Sequence, residues 1–293
     1  MLETRLLKYF LAVAREQNIT RAAESLHVSQ STLSKQLIDL ENELGVKLLI
    51  RGKRIVTLTE EGRYLRSRAQ EAVDFLNQTE NELLKEEGVI SGDIRLGCAQ
   101  MASMRPITKA MGNFQMKYPD VQFHLISGDA EHIMEKLAVG TLDIGIILDP
   151  PVEKQFEYNK LPFQETFGIL MRSDNPLCTR ESISFSELKN VPLLMPDQAH
   201  TGAAHIEWFH DSYESYRIIA TYDLIGNALY WAEEGFGVIF CLKNLVDTQG
   251  TDLVFRPVAS SISAHVTILT KKYQIFSKQV KLFMDILKET TAL

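Results

Sequence analysis

The sequence predicts two fold classes in one chain, an N-terminal all-α part that includes a small hairpin and a C-terminal α/β part. Three observations predict it. Apolar residues recur at helical spacing through the first 58 residues, and a proline-free amphipathic segment follows from 59 to about 87. Beyond it, apolar strands alternate with helices, which is typical of mostly parallel sheets. A length of 293 residues also suggests two or three domains.

Residue types mark two helix starts and one helix end. Thr20 and Ser29 are N-cap residues whose side-chain oxygens accept backbone N–H groups, and Gly45 is a typical helix end. Between Ser29 and Gly45, one face of the helix carries a leucine stripe: Leu33, Leu37, Leu40 and Leu44. The next segment, VKLLIRGKRIVTLT, predicts a small hairpin with a basic tip.

The segment TRAAESLHVSQSTLSKQLIDLE has the pattern of a helix–turn–helix. Ala22 and Ala23 are small, so the second helix can cross close to the first. Polar residues are then left on the outer, N-terminal part of the second helix: Gln30, Ser31, Thr32, Ser34 and Lys35. Glutamine reads adenine in a major groove and hydroxyls serve bases or phosphates, so the sequence predicts DNA binding. The alternative is that residues 29–32 merely cap an ordinary helical hairpin.

Basic residues near the hairpin tip are candidate phosphate contacts: Arg51, Lys53 and Arg54. This hairpin would form the wing of a winged helix–turn–helix. Residues 1–65 hold ten Lys and Arg against eight Asp and Glu, a net charge of +2 in a chain whose total is −7. DNA binding requires positive charge only where the protein touches phosphate, so the acidic total does not exclude it.

A long linker helix is predicted over 59–88. Thr59 can cap its start, and Glu60 and Glu61 suit the positive end of the helix dipole. One narrow apolar seam runs along it at heptad spacing: Leu65, Ala69, Ala72, Leu76, Thr79 and Leu83. Such a seam favours packing against a copy of itself and predicts a homodimer through this helix. Packing on its own chain is the alternative.

The C-terminal part reads as two α/β units, and its last strand and helix could return to the first unit. A ligand of open α/β sheets sits at the carboxyl ends of the strands, so the loops there predict a small-molecule cleft. The candidate effector-binding residues in those loops are Ala99, Gln100, Met101, Ser103, Ser127, Asp129, Leu148, Pro196, Thr201, Ile225 and Asn227. Ser103 and Ser127 could equally be simple helix caps, and His200 and Asn227 simple surface residues.

The first 65 residues, including FLAVAREQNITRAAESLHVSQSTLSKQLIDLENELGVKLLIRGKRIVTLTEEG, resemble the DNA-binding domain of LysR-type transcriptional regulators. The likeness continues in MGNFQMKYPDVQFHLISGD, LAVGTLDIGII and WAEEGFGVIFCL. It implies a winged helix–turn–helix, a dimerising linker helix and an effector domain of two Rossmann-like subdomains resembling periplasmic binding proteins. The base-facing residues would be Gln30, Ser31 and Thr32. The contacts to the DNA backbone would be Ser34, Lys35, Arg51 and Arg54.

The expected domains are a winged helix–turn–helix over 1–58, a dimerising linker helix over 59–88 and an effector-binding domain over 89–293. Within the last, subdomain I would comprise 92–162 and 268–293, and subdomain II would comprise 163–267. The resemblance implies a homotetramer on promoter DNA, with RNA polymerase as a candidate partner. The expected function is sequence-specific transcription regulation, in which an effector bound between the subdomains controls the geometry of operator binding.

The chain departs from the family pattern in the first loop of the effector domain. The family usually has Ser or Thr where this sequence has Ala99 and Met101, and those hydroxyls hold a carboxylate-bearing effector. The departure favours either a more apolar effector or recognition of a carboxylate by backbone amides, Gln100 or Ser103. The identity of the effector is left open by the sequence.

Other classes of function find little support. The sequence has no GxSxG, P-loop, HExxH or GxGxxG-plus-acid signature, so neither an enzyme, a cofactor nor a metal site is expected. Cys98, Cys178 and Cys241 are expected as small buried hydrophobes, with a redox sensor as the alternative. A solute-binding transport protein would fit the second part alone, but the basic wing and a charged N-terminus unlike a signal peptide oppose it. The apolar runs are too short to span a membrane, which favours a cytoplasmic protein.

Overall fold

The computed structural model describes residues 2–52, 55–83, 89–197, 215–259 and 262–291, without the side chains of residues 78, 81 and 82. The chain divides into two compact units, Met1–Glu87 and Gly88–Leu293. Three predicted site residues, Lys53, Arg54 and Thr201, lie outside the described residues, as does the helix predicted near residues 205–213. No helix in the described ranges is long and apolar enough to cross a membrane.

The first unit is helical with one small hairpin. Its elements are α1 (Thr4–Glu16), α2 (Ile19–Ser25), α3 (Gln30–Leu44), β1 (Leu49–Arg51), β2 (Val56–Leu58) and α4 (Glu60–Leu83). Strands β1 and β2 pair antiparallel, with Leu49 opposite Leu58. The predicted order of helix–turn–helix, hairpin and long helix is confirmed.

The start of α2 differs from the prediction. Asn18 caps this helix, because its side-chain oxygen accepts the backbone N–H groups of Thr20 and Arg21 at 2.9 and 3.1 Å. Thr20, the predicted cap, lies inside the helix. The predicted cap of α3 is confirmed, since Ser29 accepts the N–H of Thr32 at 3.1 Å. Gly45 ends α3 with a left-handed φ of 70°.

Three of the four leucines of the predicted α3 stripe lie in the core of the first unit, whereas the fourth, Leu44, is 36% exposed. Leu33, Leu37 and Leu40 are buried with Phe10 of α1 and Ala22 of α2. Each fully buried leucine contributes roughly 1.5–3 kcal/mol relative to an exposed one. The apolar face of α3 is thus fixed toward the protein, and its N-terminal polar residues are left on the other side.

Helix α4 uses part of its predicted seam within its own unit. Ala69 and Val73 are buried against Leu7 of α1, and Leu65 packs beside them. The predicted seam is therefore corrected at Leu65 and Ala69, because α1 already covers these positions. Further along, the exposed seam residues of the protomer are Ala72, Leu76, Thr79 and Leu83.

The second unit is a continuous α/β structure. Its elements are β3 (Gly92–Cys98), α5 (Met104–Lys117), β4 (Val121–Ser127), α6 (Ala130–Ala138), β5 (Ile144–Leu148), β6 (Phe156–Arg172), a 3₁₀ turn (Pro176–Thr179), α7 (Phe185–Leu188), β7 (Leu193–Pro196), β8 (Ile218–Tyr222), α8 (Ile225–Glu233), β9 (Val238–Leu242), β10 (Leu253–Pro257), β11 (Ser263–Lys271) and α9 (Lys278–Thr290). The strands form a sheet in the order β4-β3-β5-β11-β6-β9-β7-β8, with β10 also paired to β6.

Two long strands connect two groups of parallel strands. Strand β3 lies parallel to β4 and β5 in the first group, and β7 lies parallel to β8 and β9 in the second. The 17-residue strand β6 pairs with β11 in its first part and with β9 and β10 in its second part. The sequence predicted only a short strand at its end, because polar residues interrupt the apolar pattern of its first part.

The last strand and helix return to the first group of strands, as expected. Strand β11 pairs with β5 from Val266 onward, so the return begins two residues before the expected limit at 268. Phe283 of α9 is fully buried and packs edge-on against Phe114 of α5 at 5.5 Å between ring centroids. The two strand groups therefore meet along β6 and β11, and the carboxyl ends of their parallel strands border a common space.

Candidate functional sites

The N-terminal end of α3 presents an uncharged polar surface. Gln30, Ser31, Thr32 and Lys35 are exposed, whereas Leu33 between them is fully buried. The Ser29 hydroxyl lies 2.9 Å from that of Ser31 and 2.7 Å from that of Thr32. The cap and its neighbours thus form one local hydroxyl network. The amide of Gln30 and the amine of Lys35 make no hydrogen bond with any described residue and are free to contact a ligand.

The electrostatics of this helix end are favourable for anions. The first turn of α3, all of which the structure describes, has no acidic residue. The unpaired N–H groups of a helix start carry a partial positive charge of about half a unit. Because no carboxylate offsets that charge here, a phosphate group near the start of α3 would be stabilised.

Arg51 of β1 is held against α3 rather than extended into solvent. Its guanidinium donates a hydrogen bond to the Ser34 hydroxyl at 3.2 Å and lies 3.7 Å from a carboxylate oxygen of Glu41. Two residues predicted as DNA backbone contacts, Ser34 and Arg51, are therefore in contact with each other. Their contact with DNA stays a prediction, and the pairing fixes the position from which Arg51 would reach a phosphate.

Glu41 connects the hairpin to α3, a role that sequence reasoning missed. It is only 3% exposed, and one carboxylate oxygen accepts the backbone N–H groups of Leu48 and Leu49 at 2.9 and 3.1 Å. Burial alone would raise the pKa of Glu41, but these two N–H groups and Lys47 outweigh it and lower the pKa below its usual 4.5. One signal was available in the sequence, because Glu41 follows Leu37 by four residues on the buried face.

A cavity of about 1270 Å³ lies at the carboxyl ends of the two strand groups in the second unit. The predicted effector residues that line it are Ala99, Gln100, Ser127, Asp129, Leu148 and Pro196. They follow β3, β4, β5 and β7, as expected for a ligand site of open α/β sheets. The structure therefore brings six of the predicted residues to one cavity.

Four other predicted effector residues lie outside the cavity wall. Met101 is 6% exposed and turns into the core, and the N–H of Ser103 donates to a carboxylate oxygen of Glu165. Ile225 is buried under α8, and Asn227 is on the exposed side of that helix. The wall is instead formed here by Asp223 and Leu224, which precede α8.

An aromatic floor was not foreseen from the sequence. Phe167 of β6 and Phe240 of β9 line the cavity and stack with 5.3 Å between ring centroids and 9° between planes. Tyr222 also lines it and donates its hydroxyl to the carbonyl of Phe240 at 2.7 Å. Burial raises the pKa of Tyr222 well above its usual value, so the hydroxyl stays a donor. Phe167 and Phe240 meet because β6 pairs with β9, and no local pattern predicts that pairing.

The cysteines have the properties of unreactive thiols. Cys98 and Cys241 are buried, which raises the pKa of each to about 12. Cys178 was predicted to be buried but is only partly so, and burial also raises its pKa. A thiol reacts as thiolate, so raised pKa values disfavour the redox-sensor alternative. Among the described residues, no cluster of His, Cys, Asp and Glu could hold a metal ion.

Two family models cover most of the chain. The model for the LysR substrate binding domain matches residues 87–292, and the model for bacterial regulatory helix-turn-helix proteins of the lysR family matches residues 4–63. Among curated proteins, the chain is 30% identical over 296 residues to the Hca operon transcriptional activator HcaR of Escherichia coli, with 99% of each chain covered. It is 31% identical over 209 residues to the transcriptional activator IlvY of Salmonella typhimurium, with 71% of each covered.

Solved structures show the same fold. The regulator CbnR in complex with its target DNA matches with a TM-score of 0.76 and 21% identity, covering 99% of this chain and 100% of that one. HinK, a LysR family regulator from Pseudomonas aeruginosa, matches with a TM-score of 0.57 and 20% identity over the whole of both chains. These likenesses support the arrangement of a helix–turn–helix part and a two-group α/β part.

Proposed function

The chain belongs to the LysR family of transcriptional regulators, and from that premise we propose that α3 reads operator bases while the cavity of the second unit senses a small molecule. The family consists of DNA-binding regulators and not of enzymes, so the DNA-binding function itself follows from membership. The proposal assigns that function to particular residues. It also assigns the control of operator binding to the cavity.

One observation supports the DNA-binding assignment above all others. The start of α3 holds exposed, uncharged hydrogen-bonding side chains on a helix whose opposite face is fixed by buried leucines. Such a helix enters a major groove with its N-terminal residues toward the base edges. We assign base contacts to Gln30, Ser31 and Thr32. Backbone contacts are assigned to Ser34, Lys35, Arg51 and the two hairpin residues Lys53 and Arg54.

A second copy of the chain is part of the proposal. The far end of α4 leaves apolar side chains exposed in the protomer, including Phe75 at 48%, Leu76 at 44% and Leu83 at 80%. Covering these residues with the same helix of another copy would remove apolar surface from water and pair two recognition helices. We propose a homodimer through α4 and a homotetramer on DNA, with RNA polymerase as a partner in the cytoplasm.

The effector response is assigned to the crossing strands. The cavity is bordered by both strand groups, which are joined through β6 and β11, so a ligand that contacts both groups can change their relative angle. A ligand shifts such an equilibrium only by its different affinity for the two arrangements, typically about 1–3 kcal/mol. The change would reach DNA through the spacing of the paired recognition helices.

Binding to the promoter region of its own gene tests the proposed function. Wild-type protein should retard a fragment from directly upstream, and Gln30→Ala should weaken specific binding by ~1–3 kcal/mol and relax preference at one base pair. Gln122→Ala, an exposed glutamine of β4, is the matched control and should bind as wild type does. Failure of the wild type to prefer its upstream fragment over random DNA would favour the solute-binding alternative.

A further inference from the structure

Three helix starts in the second unit have a carboxylate of the chain beside them, and two of these carboxylates, Asp129 and Asp223, line the cavity. Glu165, only 4% exposed, accepts the N–H of Ser103 at the start of α5 at 2.6 Å. Asp129 accepts the N–H of His132 at the start of α6 at 2.7 Å. Asp223 accepts the N–H of Leu224, directly before α8, at 2.6 Å. These helix starts are where an α/β cleft normally binds an anionic ligand, so their partial positive charge is already offset.

The start of α5 has no free N–H group in its first turn. Besides Ser103, the N–H groups of Met104 and Arg105 donate to the carbonyls of Met101 and Ala102 at 3.3 and 3.1 Å. The next residue, Pro106, has no N–H. The sequence had left Ser103 open as a holder of a ligand carboxylate. Its amide is occupied by Glu165, so the backbone N–H at this position is not available to a ligand anion.

The wall of the cavity is strongly acidic. Seven of its residues are acidic: Asp129, Glu131, Glu135, Asp149, Glu153, Asp197 and Asp223. Among the described lining residues there is no lysine or arginine, and His132 is the one histidine. None of the seven forms an ion pair with a described Lys or Arg, although Asp149 lies 3.7 Å from His265.

Charges of one sign around a cavity concentrate ligands of the other sign and repel their own. The floor adds a second preference, because Phe156 and the stacked pair of Phe167 and Phe240 line the same space. These three rings are 1%, 6% and 1% exposed, so they give the cavity an apolar base with little open ring surface. The acidic wall therefore favours a ligand with a positive charge, and the aromatic floor favours a ligand whose remaining part is apolar.

We propose that the effector is an organic cation, an amine or a related ammonium compound with an aromatic or aliphatic body, and that the cavity excludes carboxylates. The inference rests on the proposed function, since it takes the cavity to be the effector site. The ammonium group lies among the carboxylates of the wall, and its apolar body lies over Phe167 and Phe240. The absence of a hydroxyl at position 99, which lines the cavity, agrees with this ligand class, because no carboxylate needs to be held there.

Three probes with the same phenylethyl body test the ligand class. They are 2-phenylethylamine, 2-phenylethanol and 3-phenylpropanoate, titrated calorimetrically into full-length protein at neutral pH. The amine should bind about tenfold or more tightly than the acid, with the alcohol between them, and the difference should shrink as salt screens the wall. Equal binding of amine and acid, tighter binding of the acid, or no binding of the amine overturns the inference.

Charge-neutralising variants locate the effect in the cavity. Glu135→Gln and Asp197→Asn change exposed wall residues whose side chains make no hydrogen bond with a described residue, so folding should be preserved. Each variant should weaken the binding of the amine by about two- to fivefold and leave the binding of the alcohol unchanged. Asp285→Asn, an equal charge change on exposed α9, should leave both unchanged. An equal loss in all three variants would place the effect in overall charge and overturn the assignment.

The operator assay without probes separates the two proposals. If the protein binds the DNA fragment upstream of its own gene but shows no preference for the amine, the proposed ligand class is wrong and the regulatory function stands. If it prefers the amine but does not bind that DNA fragment, the cavity chemistry stands and the proposed function is wrong.

Discussion

The start of α3 in the first unit differs from the starts of α5, α6 and α8 in the second unit in the charge placed beside it. In the first unit, α3 is capped by the neutral Ser29 and has no acidic residue in its first turn. In the second unit, Glu165, Asp129 and Asp223 place a carboxylate at the starts of α5, α6 and α8. The start of α3 is thus left electropositive, whereas a carboxylate offsets the positive charge at the starts of α5, α6 and α8.

This difference determines which anions can bind at the helix starts of each unit. The partial positive charge at the start of α3, which no carboxylate offsets, attracts phosphate. A carboxylate at the start of α5, α6 or α8 takes the N–H group that a ligand anion would use, and adds a negative charge of its own. A chain with a net charge of −7 can therefore bind DNA at one end while its ligand cavity repels acids.

Ser31→Asp tests this difference most directly, because it gives the start of α3 a carboxylate like those beside α5, α6 and α8. We expect DNA affinity to fall at least about 100-fold, near 3 kcal/mol, since the new charge faces phosphates and acceptor groups of the bases. The free energy of unfolding should stay the same or rise by about 0.3–1 kcal/mol, because an acid suits a helix start. Fluorescence anisotropy and thermal unfolding measure the two effects.

Ser31→Ala is the control for that variant and should lose far less affinity, since it removes a hydroxyl and adds no charge. Retention of DNA binding by Ser31→Asp within about threefold of wild type would mean that the start of α3 does not face the duplex.

Glu41→Ala should cost about 2–3 kcal/mol of unfolding free energy, because it leaves the N–H groups of Leu48 and Leu49 without their acceptor. Here a carboxylate also binds two backbone N–H groups, but it fastens the hairpin to α3 instead of blocking a ligand. Hydrogen exchange of the backbone amides of the first unit, measured in the full-length protein over a series of denaturant concentrations, gives this loss. Asp39→Ala changes an exposed acid of the same helix and should have little effect; an equal loss there would contradict this role of Glu41.

Much of the first unit could be predicted because its determinants are local. The cap at Ser29, the stop at Gly45 and the leucine stripe of α3 are each set within a few residues of sequence. Thr20 was mistaken for a cap because Asn18, two residues earlier, is an equally suitable residue and begins the helix sooner. Glu41 was missed because its partners belong to the hairpin and not to its own helix.

The second unit was predicted in outline and less well in its site. Alternating strands and helices correctly located the loops of Ala99, Asp129 and Leu148 at one cavity. The aromatic pair and the carboxylate at α5 depend on β6, whose long course between the strand groups is set by pairing with distant strands. Contacts of that kind are not encoded in the periodicity of any single segment.

Arg51→Ala should have a smaller effect than the changes at Ser31 and Glu41. It removes one positive charge at the hairpin, so binding to all DNA sequences should weaken alike and the dependence on salt should become shallower by about one unit. Affinity for operator and random DNA at several salt concentrations measures both quantities. Arg105→Ala, an exposed arginine of α5, removes the same charge from the other unit and should leave the slope unchanged. A loss of base preference in Arg51→Ala would instead assign a reading role to the hairpin.

The smallest expected effect is on the pH dependence of stability, which tests how the backbone N–H groups stabilise the charged carboxylate of Glu41. The pKa of Glu41 is lower in the folded protein than its usual 4.5, because its N–H partners favour the charged form more than burial opposes it. The folded state therefore gains stability above that usual value and loses it as pH falls through the lower, folded pKa. Glu41→Gln removes the titrating group, so the first unit should show a shallower loss of unfolding free energy with acid below pH 4.5. An unchanged slope, measured by denaturant titration at several pH values, would mean that the contacts of Glu41 with Leu48 and Leu49 do not favour its charged form.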